Sequence, residues 1–219
     1  AELSRDLRAF LRTEGAELCE GVLAAWALLL YRTTRQADLL LGLREDGRHA
    51  ALRLALEART SFRALFAAVR AELADGRAHA LELAALLKAA HSTRADNLFQ
   101  VLFTTDKLRA EDAQGYDLVL ALTNGTKGQV SGALYYDAEL FDPRVAERML
   151  GHLETLLAGA LAAPDEPLGW LPFLTVAERE VVLYDWNDTA LDFPRHLCLH
   201  ELFEERVRRC PDAPAVVHA

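Results

Sequence analysis

His79 stands at the head of an alanine- and leucine-rich stretch and carries the side chain of a general base. A base needs a positioned reacting group and usually a partner that orients its ring. No serine or cysteine stands at a spacing that supplies one, so a histidine at a helix end is the favoured reading. His152 lies within a long helical pattern and reads as a surface or cap residue. His196 and His200 are four apart, but Pro194 and Leu197 argue against a helix there, and no third ligand is near; this is not the pattern of a metal site.

The remaining polar candidates reduce to structure in the same way. Asn124-Gly125-Thr126-Lys127-Gly128 has the glycines and lysine of a phosphate loop without its strand-loop-helix context, and reads as a hairpin turn. Glu201, Glu204 and Glu205 open a helix, where acidic residues favour the dipole. Cys19, Cys198 and Cys210 form no Cys-x-x-Cys or paired framework, which suits reduced thiols; Cys19, among apolar residues, reads as a small core hydrophobe. No catalytic residue and no metal ligand is assigned. The aromatic residues Trp170, Trp186 and Phe193 are left, set in a polar, proline-punctuated segment. Large aromatics there either anchor the segment to a neighbouring domain or fold back on their own; anchoring is the favoured reading.

The elements that must position these residues follow from apolar spacing. Leu3–Arg12 has helical period, opened by Glu2 or Ser4 and closed by Gly15; Ala16–Thr33 is apolar nearly all round, a helix expected to be buried. Asp38–Leu43 reads as a buried strand and Arg44–Arg48 as a charged turn. Ala50–Leu56 fits strand or helix, its alternation favouring a strand. Thr60 is placed to cap a helix over Ser61–Asp75, and Ala78–Ala90 reads as another helix. Leu98–Thr104 is a strand, Lys107–Gln114 an exposed connection, and Tyr116–Leu122 with Val130–Tyr136 a hairpin. Asp142-Pro143 opens a long helix to about Leu161. The pattern predicts an α/β fold: a mixed sheet of strands near Leu39, Leu98, Tyr116 and Val130, packed with helices.

Composition narrows the partners. At 52% hydrophobic and 26% charged the chain can bury a core, and a net charge of -9 gives no basic face for nucleic acid. Val22–Leu30 is too short to span a membrane and the first residues have no signal-peptide pattern, so a cytoplasmic protein is expected. After Trp170 the pattern changes: a short helix over Thr175–Tyr184, an extended strap, a second amphipathic helix over Leu199–Arg209, a stop at Pro211 and the start of a new apolar run.

Leu98-Phe99-Gln100-Val101-Leu102-Phe103, Tyr116-Asp117-Leu118 and Tyr135-Tyr136 followed by Leu140-Phe141-Asp142 resemble the C-terminal half of a nonribosomal peptide synthetase condensation domain. Trp186-Asn187-Asp188-Thr189 with Phe193-Pro194 looks like the linker from a condensation to an adenylation domain, and Leu199-His200-Glu201-Leu202-Phe203 onwards like the first residues of the latter. The resemblance implies one lobe of a chloramphenicol-acetyltransferase-like fold at 1–169, an extended linker at 170–198 and the beginning of an adenylation domain at 199–219. It implies docking through Trp170, Trp186, Asn187, Asp188, Thr189, Phe193 and Pro194.

The family's signature, His-His-x-x-x-Asp-Gly, belongs to the other lobe, and no two histidines adjoin in this sequence. Arg44–Leu54 is short where the family has a longer loop and a Gly-x-Phe-Val-Asn-Thr strand. The expectation is therefore a truncated, non-catalytic lobe serving as a platform before an adenylation domain. The rival is half of a split condensation enzyme, joining carrier-bound substrates once a His-His lobe is supplied. The segment binds no cofactor of its own on this reading. A phosphopantetheine-loaded carrier protein is implied for the parent synthetase and is a possible further partner.

Overall fold

The computed structural model describes residues 2–91, 98–124, 129–192 and 194–216, which divide into two compact units, Ala1–Ala177 and Glu178–Ala219. The first unit begins with α1 (Glu2–Glu14), amphipathic with Leu7 and Leu11 buried, and α2 (Leu18–Thr34). Gly15, at φ +60, ends α1 as expected. From Cys19 to Leu30 every residue of α2 is buried, including Trp26. A helix with no polar face must be enclosed, and α1, α3 and α5 pack around it.

Among the described residues five strands form one mixed sheet in the order β2-β1-β3-β4-β5. They are β1 (Asp38–Glu45), β2 (Arg48–Ala55), β3 (Val101–Thr104), β4 (Leu118–Asn124) and β5 (Val130–Tyr136). β1 pairs antiparallel with β2 and parallel with β3; β3 is parallel to β4, and β4 antiparallel to β5. Leu39, Leu41 and Leu43 of β1, Leu52 and Leu54 of β2, Phe103 of β3, and Leu118, Leu120 and Leu122 of β4 point into the main core under the helices. The opposite face carries a smaller cluster of Phe99, Leu102, Ala113, Tyr116 and Val119.

Several boundaries differ from the sequence reading. The strand favoured at Ala50–Leu56 forms over Arg48–Ala55 and joins the four strands expected in the sheet as an edge. The charged turn at Arg44–Arg48 shrinks to Asp46-Gly47, both at positive φ, the geometry a two-residue hairpin turn requires. Ser61, not Thr60, caps α3 (Phe62–Ala78), its hydroxyl accepting from Ala64 N. The helix expected from Ala78 is only α4 (Leu83–Ala89), since Leu81 is held extended by mutual main-chain bonds with His49 at 2.7 and 2.9 Å. β3 starts at Val101 because Gln100 O already accepts from Asp117 N and Leu118 N, while Phe99 turns into the second cluster. The hairpin tip at 125–128 lies outside the described residues.

α5 (Pro143–Ala162) is opened by Asp142, which accepts from Arg144 N, with Pro143 in the first turn. α6 (Val176–Leu183) begins in the last two residues of the first unit; the second unit continues it and adds a short 3-10 turn, an extended strap and α7 (Leu199–Arg209).

Gly42 is the tightest point of the β1 pairing: a Cβ there would stand 2.3 Å from the Phe99 ring. Phe99 is buried and stacked on Tyr116 at 6.3 Å between centroids, so it has little room to yield. Gly42→Ala is expected to destabilise the lobe by about 1–3 kcal/mol, read as a fall in the denaturant midpoint; an unchanged midpoint would show that Phe99 repacks freely.

Candidate functional site

The sequence-predicted residues fall in both units. Trp170 belongs to the first, in the turn after α5, and is 79% exposed between two buried leucines, Leu168 and Leu171. Main-chain bonds hold the turn. Leu168 N donates to Thr60 O, Gly169 N to Ala58 O and Trp170 N to Pro167 O. From α2, Arg32 Nη1 donates to Leu168 O and to Leu171 O, each at 2.8 Å. The same guanidinium lies over the Phe173 ring, 5.3 Å from its centroid. Phe173 in turn packs on His152 at 4.3 Å, so His152, read from sequence as surface or cap, is buried against an aromatic ring. Segment 167–173 is thus fixed to the lobe, and the indole of Trp170 is the side chain it turns outwards. Burial lowers the Arg32 pKa from its ordinary value.

The second unit holds the rest. Trp186 sits in the 3-10 turn Asp185–Asn187 and is 71% exposed. Asn187 Nδ2 donates to Val182 O at 2.8 Å and Leu183 O at 3.2 Å, so it closes the carbonyl end of α6. Asp188 follows as the cap of the turn, and Thr189 and Pro194 are exposed in irregular chain. Phe193 lies outside the described residues. Glu201 accepts from Cys198 N and so begins α7, the structural role its sequence position suggests. Leu199, Phe203 and Val207 line one face of α7 and are exposed.

Composition and spacing missed a polar cluster at the carboxyl ends of the parallel strands β1 and β3. Asp106, just beyond β3, accepts from Asp46 N at 2.8 Å and Gly47 N at 3.0 Å, and pairs with Arg44 Nε at 3.2 Å. It therefore pins the β1–β2 turn from a strand sixty residues away. Arg77, at the end of α3, joins Glu45 through Nε and Nη2 and reaches Glu17. These bonds, those to Glu45 first, push its pKa up, and the same guanidinium draws the Glu17 carboxyl down. Cys19 donates to Glu17, and burial pushes its thiol up to about 11, so it is held protonated as a core residue.

His49 is buried here at 6% exposure, and its Nδ1 has no hydrogen-bond partner among the described residues. Burial, then the neighbouring Arg44 charge, lowers its pKa, against smaller opposing effects of Asp106 and Glu82. His79, expected to open a helix, instead ends α3: its ring Nδ1 meets Asp75 O at 2.9 Å on an exposed surface. Alternation could have placed His49 on the face opposite Leu52 and Leu54; the partners across the sheet have no local signal. Among the described residues no three His, Cys, Asp or Glu side chains converge on a metal-sized site.

No protein-family model matches the chain. A linear gramicidin synthase of Brevibacillus parabrevis is 30% identical over 252 residues, an alignment covering 99% of this chain and 5% of that protein. Among solved structures, the X-domain of teicoplanin biosynthesis, in its complex with OxyB, superposes with a TM-score of 0.66 at 22% identity, over 80% of this chain and 46% of that one. The first condensation domain of the CDA synthetase gives 0.60 at 18% identity, over 80% and 46%. A four-domain nonribosomal peptide synthetase, holo-AB3403 bound to AMP and glycine, gives 0.78 at 16% identity, over 95% and 20%. The chain spans about a twentieth of the synthetase it matches and just under half of the condensation-type domains.

The fold is therefore that of one lobe of a condensation domain. In sequence the chain is similar to segments of nonribosomal peptide synthetases, and in fold to condensation-type domains. No helix among the described residues is long and apolar enough to cross a membrane.

The neutral state of His49 carries a pH signature. Its folded pKa lies below the unfolded value of about 6.5, so the unfolded chain binds the extra proton first. The stability due to neutral His49 is complete above that value and is lost as the pH falls through it towards the folded pKa. Denaturant midpoints from pH 7.5 to 5.5 are expected to fall for the native chain and to stay flatter for His49→Gln; parallel slopes would show that His49 is not the group titrating.

Proposed function

We propose that this lobe serves as a non-catalytic docking platform of a nonribosomal peptide synthetase, ahead of an adenylation domain. The observation that carries the reading is the Trp170 turn. An indole is left exposed on a loop fixed by Arg32, Ala58 and Thr60, and a large aromatic on a preorganised surface is what a protein partner selects. The X-domain, of similar fold, is found in complex with another protein, OxyB. The alignment with the gramicidin synthase runs to 252 positions against 219 residues, so this chain lacks residues its relative has.

On this reading Trp170, Trp186, Asn187, Asp188, Thr189, Phe193 and Pro194 are the docking residues, and residues 199–219 begin the adenylation domain. A carrier protein bearing phosphopantetheine is the more distant partner. The four-domain synthetase, matched over 95% of this chain, supports adjacent domains. A second reading, half of a condensation enzyme, is favoured by the 46% share of a condensation domain that the lobe covers. It requires a partner lobe with His-His-x-x-x-Asp-Gly. Amide formation from loaded carriers after mixing the two halves would establish it over the platform reading.

The platform reading is tested in the synthetase polypeptide by Trp170→Ala and Trp186→Ala. Each is expected to speed amide hydrogen exchange across 170–198 and to weaken docking by about 1–2 kcal/mol or more, with adenylation retained. Unchanged exchange in both variants would remove it.

A further inference from the structure

We propose that the free edge of β5 is a binding site for an extended peptide segment bearing apolar side chains and one basic side chain, taken up by strand addition. β5 is the last strand of the sheet. Its register fixes which amides face outwards. Asp137 N donates inwards to Asp117 O at 3.0 Å, so by alternation the amides of Ser131, Ala133 and Tyr135 also point to β4. Those of Val130, Gly132, Leu134 and Tyr136 point away. Val130 N is covered by the Ser4 hydroxyl at 3.3 Å; among the described residues nothing bonds the outward groups of Gly132, Leu134 and Tyr136.

Edges of this kind are normally blunted by lysine, proline, a bulge or a covering element. β5, reading Val-Ser-Gly-Ala-Leu-Tyr-Tyr, contains neither lysine nor proline. The other edge of the sheet shows the contrast. On β2, Leu81 pairs with His49, and Glu72 accepts from Arg53 N.

A cavity of about 520 Å3 lies along the same stretch, lined by Gly132 and Ala133 of β5, Leu7 of α1, and Leu150, Leu153 and Glu154 of α5. Its size suits one or two large apolar side chains. Glu154 is exposed at this cavity and, among the described residues, has no ion-pair partner. Main-chain groups would give affinity, the cavity would select apolar residues, and the carboxylate would select a cation. A second copy of this chain fits less well, since β5 has no basic residue to set against Glu154 and each chain carries a net charge of -9.

The probe is an acetylated, amidated peptide, Thr-Leu-Thr-Arg-Thr-Leu-Thr, which as a strand places both leucines and the arginine on one face. Two control peptides carry the same side chains with alternate amides N-methylated, one set for each edge of the strand. Added to the 219-residue chain, the parent peptide is expected to slow exchange of the Gly132 and Leu134 amides by about tenfold or more at saturation. One control should do the same and the other fail. Glu154→Gln should weaken binding about two- to fivefold, and Glu154→Lys further, with unchanged denaturant midpoints. The proposal is overturned by no binding, by equal binding of all three peptides, or by binding that leaves those two amides unprotected. It is also overturned if protection rises with protein concentration alone, which would make the edge a contact between copies.

Discussion

A helix with nowhere to meet water sets the terms of this lobe. α2 is buried from Cys19 to Leu30, so each side of it must find a partner in another element. Helices α1, α3 and α5 exist in their present places to supply those sides, with the leucine face of the sheet completing the enclosure. Its polar groups are met under the same constraint. Glu20, at the buried start, accepts from Glu17 N at 2.7 Å and pairs with Arg70. Arg70 also donates to Glu14 O and Gly15 O, closing the end of α1. Arg32, at the far end, is what ties down the chain after α5. An unpaired charge at either end would cost more than most single contacts in the lobe return.

How much of this was legible depended on whether a residue's partner was near it in the chain. The all-round apolar run of α2, the Leu52–Leu54 alternation, Asp142-Pro143 at the head of α5 and the hairpin strands all carry local signals, and all appear in the fold. The missed features are pairings across the chain. Leu81 stands in a stretch of helical composition, but main-chain bonds to His49 take it into a bridge. His152 looks like a surface histidine until Phe173, on the segment after α5, covers it. The clamp on Trp170 and the salt bridge between Arg44 and Asp106 are of the same sort. Trp170 and Trp186 were recognisable as unusual in a polar segment, but the main-chain bonding that fixes the Trp170 turn was not.

The lobe separates two kinds of polar investment. At the strand ends, Arg44, Glu45, Arg77 and Asp106 are turned inward on one another and hold a hairpin turn and a helix end. Around Leu168–Leu171 the bonds go to backbone, and the one large side chain is left outside. The first arrangement consumes its charges in folding, whereas the second leaves a side chain available. The segment similar to this chain makes up about a twentieth of the gramicidin synthase and a fifth of the four-domain synthetase.

The Arg32 clamp also bears on how the lobe is made. Its two acceptors lie 136 and 139 residues later in the chain. At a synthesis rate of about 5–20 residues per second, roughly seven to thirty seconds pass on the ribosome between the arginine and the carbonyls that complete it. During that interval the elements that enclose α2 are made one after another, α5 last, and until the turn follows them Arg32 lacks its two carbonyl acceptors. The turn presenting Trp170 is thus also the last stitch of the fold, and the surface forms only when the lobe behind it is whole.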